Sequence, residues 1–178
     1  ITSFYYVLCS TSGSFHVSST VSPVQIPSRA GENCRGEVTI PKGIVQINSY
    51  VFTFNTETTN RNITKVTFPT TGLQTIDQGA FKNLGLTSVS IPATVETVGI
   101  YAFMNNYITT VYVAGTGSGY HATALKDSAF TGNPISPGIA LTLGSGKIGI
   151  DENFGTGTVF ASVDWGTGIT SIGRKAFY

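Results

Sequence analysis

Gly85-Leu-Thr-Ser-Val-Ser-Ile-Pro-Ala-Thr-Val-Glu-Thr-Val-Gly-Ile-Tyr-Ala-Phe-Met-Asn-Asn106 is one full turn of a repeat, and most of the remaining chain is degenerate copies of it. Val89 and Ile91 alternate with Ser88 and Ser90, the period of two expected of a strand with one buried face. Pro92 cannot donate a ladder hydrogen bond, so it ends that strand and turns the chain. Val95, Val98 and Ile100 are expected to return to the interior, with Gly99 available for a tight or left-handed bend. Ala102 and Phe103 close the unit, the small residue letting the ring lie in the core. Asn105 and Asn106 suit the turn into the next copy.

Working outward, the strand positions read Val38-Thr-Ile-Pro41, Val66-Thr-Phe-Pro69, Val89-Ser-Ile-Pro92, Val111-Tyr-Val-Ala114, Leu141-Thr-Leu-Gly144 and Val163-Asp-Trp-Gly166. The closing positions read Val51-Phe52, Ala80-Phe81, Ala102-Phe103, Ala129-Phe130, Asn153-Phe154 and Ala176-Phe177. From turn residue to Phe the offsets are 11, 12, 11, 16, 10 and 11 residues. Five of the six agree within one residue of 11, so the repeat is real. The outlier carries an insertion around Gly115 to Ala124, of the kind that maps to a surface loop.

These residues resemble the BspA-like leucine-rich repeats of bacterial and protist surface proteins, which recur about every 23 residues. Ser88-Val-Ser-Ile-Pro92 with Val98-Gly99 and Ala102-Phe103 carries the resemblance most fully. Val66-Thr-Phe-Pro69 with Ile76 and Ala80-Phe81 follows it, and Ile172-Gly173 with Ala176-Phe177 matches the last half-repeat. The resemblance runs from about Val38 to Phe177. The chain departs from the pattern by placing Leu84, Asn106 or Asn133 where a cysteine often follows the Ala-Phe step, and copies four to six lose the proline.

The fold expected is mainly β: a right-handed leucine-rich-repeat-type solenoid. Short parallel strands should line one face, with brief 3₁₀ or helical turns around each Ala-Phe step. Phe52, Phe81, Phe103, Phe130, Phe154 and Phe177 should stack as an internal ladder. Residues 1–35 read as an N-terminal β cap and 36–178 as a continuous solenoid of about six repeats. In the cap, Phe4, Tyr6 and Leu8, then Phe15 and Val17, alternate like two short strands, and Val24-Gln-Ile26-Pro27 resembles a truncated first repeat. Cys9 and Cys34 both precede the first full copy. A disulfide between them would staple that cap in an oxidising compartment, and the other reading is two buried thiols. A metal pair lacks partner ligands.

Composition narrows the function classes. The 178 residues are only 11% charged, with a formal net charge of +1 and 40% hydrophobic content. There is no basic footprint for nucleic acid, no amphipathic basic helix for a membrane surface and no apolar run long enough to insert. A low-charge, hydroxyl-rich chain suits an extracellular or cell-surface setting.

Chemistry is sparse. Gly144-Ser-Gly146-Lys-Ile-Gly149 matches the dinucleotide fingerprint, with Asp164 beyond it, but no helical stripe follows the glycines. His16 and His121 are the only histidines, and the acids are scattered. No catalytic residue, metal site or cofactor is expected, and the chain does not read as an enzyme.

The candidate binding surface is the exposed strand face: Thr39, Lys65, Thr67, Ser90, Tyr112, Thr142 and Asp164, with Tyr112 the large amphipathic contact. Tyr120 and His121 on the inserted loop form a second candidate. Trp165, Phe177 and Tyr178 lie in the last coil, which ends without a capping segment: either the natural chain continues, or the end is covered by another molecule, as self-association would do. The leading expectation is a secreted or cell-surface module binding protein or glycan. The alternative is a structural subunit that joins copies of itself end to end into a fibre.

Overall fold

A computed structural model describes residues 7–9, 15–17, 24–31, 34–52, 62–116 and 121–178. Among these the chain forms fifteen strands and no helix. β1 (Val7–Cys9) and β2 (Phe15–Val17) pair antiparallel, with Val7 opposite Val17. The strands that follow, from β3 (Val24–Ile26) to β15 (Ile169–Ile172), pair in parallel, as stacked coils require.

Each coil contributes two strands. The first set carries the alternating motif: β4 (Gly36–Thr39), β6 (Ile63–Thr67), β8 (Ser88–Ile91), β10 (Thr110–Val113), β12 (Ile139–Leu143) and β14 (Phe160–Asp164). In β8 and β10 alternate residues are buried and exposed, as the period of two predicts. The second set is shorter: β5 (Ile44–Ile47), β7 (Thr75–Ile76), β9 (Thr97–Val98), β11 (Thr123–Leu125) and β13 (Ile148–Ile150), with β3 and β15 at its ends. These make a seven-stranded parallel sheet in the order β15-β13-β11-β9-β7-β5-β3. The solenoid therefore has a second sheet, where strands were expected to line one face only. Val24–Ile26, which reads as a truncated copy of the first set, is the outer strand of this second sheet, paired with β5.

The corner after the second sheet holds the aromatic ladder. Gly79 accepts from the Lys82 amide and Asp77 from the Ala80 amide, two successive turns in place of the expected 3₁₀ or helical piece. Gly79, Tyr101 and Ser128 take positive φ between them, which stops any helical run from propagating. Gly99 does not serve as a left-handed bend; the left-handed residues of its coil are Tyr101 and Asn105. Its missing side chain matters instead, because a Cβ there would lie 2.7 Å from the Asp77 carbonyl carbon of the coil before. Ile100, expected inside, points out at 41% exposure, since the corner reverses before its side chain reaches the core.

Phe52, Phe81, Phe103 and Phe130 are fully buried and stack at centroid spacings of 4.9, 5.3 and 5.3 Å. The ladder then changes. Phe130 meets Phe154 edge-on at 82°. The backbone explains it: the Phe103 amide donates to Ala129, but the equivalent bond to Ala176 comes from Gly155, not Phe154. Phe154 thus occupies the alanine column and Gly155 the phenylalanine column, which accounts for the short offset of this copy. Phe160 fills the space: its Cε2 lies 3.1 Å from where a Gly155 Cβ would be. Phe177 closes the row edge-on against Phe154 and Phe160.

Buried asparagines fasten successive coils. Asn106 Nδ2 donates to the Phe81 and Phe103 carbonyls at 2.8 and 2.9 Å, while its Oδ1 accepts from the Leu86 amide. Asn133 repeats this one coil later, donating to Phe103 and Phe130 and accepting from the Ile108 amide. Each side chain satisfies backbone groups that would otherwise be buried unpaired. These positions are two of those where the family pattern often has cysteine.

Candidate functional site

The strand-face candidates lie where the alternation places them, on the outside of the first set of strands. Thr39 stands opposite Thr67, and Ser90, Tyr112, Thr142 and Asp164 succeed one another across β8, β10, β12 and β14. Lys65 is one row away, opposite Glu37, and the two form an ion pair at 3.1 Å. Both side chains are more than half exposed, so this pair contributes little to stability.

This face is not one sheet. It divides into β4-β6 and β14-β12-β10-β8, and no ladder joins β6 to β8 among the described residues. A groove of 490 Å³ runs along the break, lined by Lys65, Thr67, Phe68, Ser88, Ser90 and Tyr112 among others. Four of the seven strand-face candidates are brought together here; Thr39, Thr142 and Asp164 are not among its lining residues. Two side chains accompany the break. Phe68 stands where neighbouring coils have Ile40 and Ile91, and its larger ring packs edge-on against Phe81 at 5.5 Å. Leu84 stands in the column of Asn106 and Asn133, so the fastener present at the β8–β10 and β10–β12 junctions is replaced by a hydrocarbon at β6–β8.

Sequence reasoning missed the groove, Phe68 and Leu84. The available signal was the departure of those two residues from their columns.

The other candidates separate. His121 is exposed, and its carbonyl accepts from the Thr116 hydroxyl. Thr116 in turn bridges Lys147 of the following coil, which docks the insertion. Tyr120 lies outside the described residues. Trp165, Phe177 and Tyr178 are exposed, with Trp165 edge-on to Phe177 at 5.2 Å. Cys34 is buried and disulfide-bonded; the side chain of Cys9 lies outside the described residues.

The dinucleotide-like glycines do not form a phosphate site. Gly144 and Gly146 pack against the Ala114 and Gly115 backbones, and the chain continues into strand β13, not into a helix that could hold a phosphate. Among the described residues no group of three His, Cys, Asp or Glu could hold a metal ion.

No curated protein and no solved structure matches the chain. The family model for the BspA type leucine-rich repeat region matches it in 6 copies, across residues 1–136 and 58–178. With the stacked parallel coils and the recurrent phenylalanine corner, this places the chain in the BspA-type leucine-rich repeat family.

Proposed function

We propose that this solenoid is a secreted or cell-surface adhesion module that binds protein or glycan through its strand face. BspA-type repeats are generally surface or secreted protein-interaction modules, and leucine-rich-repeat solenoids are typically non-enzymatic scaffolds. Among the described residues no helix is long and apolar enough to cross a membrane. The observation that carries the reading is Tyr112, 42% exposed on a hydroxyl-rich face beside the groove. An aromatic ring with a polar tip supplies contact area at little entropic cost.

The test is binding of the whole chain to immobilised extracellular matrix proteins and to a glycan array. Tyr112→Ala should weaken the strongest interaction at least about tenfold, as loss of a central aromatic anchor does. Undiminished binding by that variant overturns the reading, as does turnover of a small substrate that depends on His121 or Asp164.

A second reading, assembly with copies of itself, is favoured by the exposed aromatic cluster of Trp165, Phe177 and Tyr178, with Trp165 edge-on to Phe177. Light scattering against concentration tests it: growth abolished by Phe177→Ser supports assembly, and a constant monomer mass removes it.

A further inference from the structure

The seam between β6 and β8 is a parting, not a gap. The Gly85 amide still donates to the Ile63 carbonyl at 2.8 Å, so the two strands start together and the groove lies on the outer surface above them. Its floor is apolar. Val66 and Val89, the inward-facing residues on either side, are 8% and 4% exposed, whereas Val111 in the next coil is 0% exposed. Phe68 and Pro92 are partly buried beside them. The rim is hydroxylated: Thr67, Thr70, Ser88, Ser90 and Thr110 all line the groove and are exposed. Among the described residues none of these hydroxyls has a hydrogen-bond partner within the protein. Tyr112 makes one wall. Opposite it on β8 stands Ser90, too small to cover the ring.

We propose that this groove is a carbohydrate site that seats a pyranose ring of a neutral glycan against Tyr112. The proposal rests on the strand-face reading and names its ligand class. A pyranose carries an apolar C–H face and a perimeter of hydroxyls, and the groove offers the complement of both. Tyr112 and the aliphatic floor suit the face, and the rim hydroxyls, each able to donate or accept, suit the perimeter. At 490 Å³ the groove falls within the range of about 300–1,000 Å³ usual for small-ligand sites. Its one charged residue, Lys65, is already paired with Glu37, so nothing in it calls for an anionic sugar. A polypeptide is the poorer fit. β6 and β8 hold Cα atoms within 8 Å of each other, less than the roughly 9.6 Å that an intervening strand needs.

The experiment titrates the full isotope-labelled chain with maltotetraose, cellotetraose, mannotetraose, N-acetylchitotetraose and lactose, and with sialyllactose as the charged counterpart of the last. At about 5 mM, enough to reveal millimolar binding, at least one neutral sugar should shift the amide resonances of 65–70, 88–92 and 110–112. Tyr112→Ala should raise its Kd about tenfold, as loss of a central aromatic contact does. Ser90→Ile, at an exposed strand position that suits a β-branched residue, should cover the ring and weaken binding to a similar degree. Gln74→Ile, exposed just before β7, should leave binding intact.

No shift with any neutral sugar, shifts confined to other amides, or shifts from sialyllactose alone overturn the proposal. So does binding that survives Ser90→Ile undiminished. If no sugar binds but a matrix protein is held and Tyr112→Ala weakens it, the carbohydrate site fails and the strand-face reading stands. If Tyr112→Ala holds every ligand of the full chain unchanged, the strand-face reading itself fails.

Discussion

The two sheets of the solenoid are built from the same coils yet differ in continuity. The shorter strands form one unbroken run of seven, while the longer strands divide into two and four. Strand length does not decide this, because β7 and β9 have only two residues each and still pair on both sides. What differs is the fastening of the coil behind each strand. Asn106 and Asn133 tie the leads of β8 and β10 to the coils above, whereas at β6–β8, where the strand face parts, Leu84 takes that column. At β12–β14 Thr158 takes the same column, and there the ladder holds but slips in register after Ile139. The Thr158 hydroxyl is buried without a hydrogen-bond partner among the described residues, so a satisfied polar group in this column is not required for the ladder to hold, and the parting coincides with Leu84 and Phe68 together.

The contrast can be broken by substitution. Ile76 lies buried in the continuous sheet and Val66 beside the seam. Ile76→Ala should cost about 3 kcal/mol in urea unfolding, because a closed site cannot collapse around the cavity. Val66→Ala should cost about 1.5 kcal/mol, its smaller loss softened by an already open neighbourhood. Equal costs would mean the seam packs as well as the sheet.

Asn106→Leu recreates the Leu84 arrangement one coil on. It should destabilise by about 2 kcal/mol, through the unpaired Leu86 amide and Phe carbonyls, and should raise exchange along β8 and β10. Loss of stability without faster exchange there would separate the asparagine from ladder continuity.

The reciprocal change, Leu84→Asn, should slow exchange at 65–68 and 87–91 by about tenfold with stability altered by no more than about 1 kcal/mol. Unchanged exchange would leave Phe68 as the wedge, to be tested by Phe68→Ile. The smallest effect is expected at Glu37→Gln, which removes an exposed pair on the split face and should shift stability by less than about 0.5 kcal/mol.

The coil and its phenylalanine corner were legible because Val89, Pro92 and Phe103 hold one register across the copies. The second sheet was not, because Thr75–Ile76 and Thr97–Val98 are too short to show alternation. Ile100 misled for a related reason: an apolar residue near a corner has no period to say which way it faces. At the strand face, Tyr112 could be placed from the sequence, but the groove could not. It arises from Phe68 and Leu84, each ordinary in isolation and informative only against the column it interrupts. Asn106 reads as a turn former and Asn133 only as a departure from the repeat pattern, while their burial and bonding across coils depend on the neighbouring coil.

The arrangement of Phe154, Gly155 and Phe160 shows how such an array tolerates a departure from its own pattern. In this copy the ring lies in the neighbouring column, glycine takes the phenylalanine column, and Phe160 supplies the volume. What the corner requires is therefore the filled cross-section of the stack and not the identity of a column. A copy can drift out of its consensus and remain a sound rung, and the copies hardest to recognise by spelling need not be the weakest links.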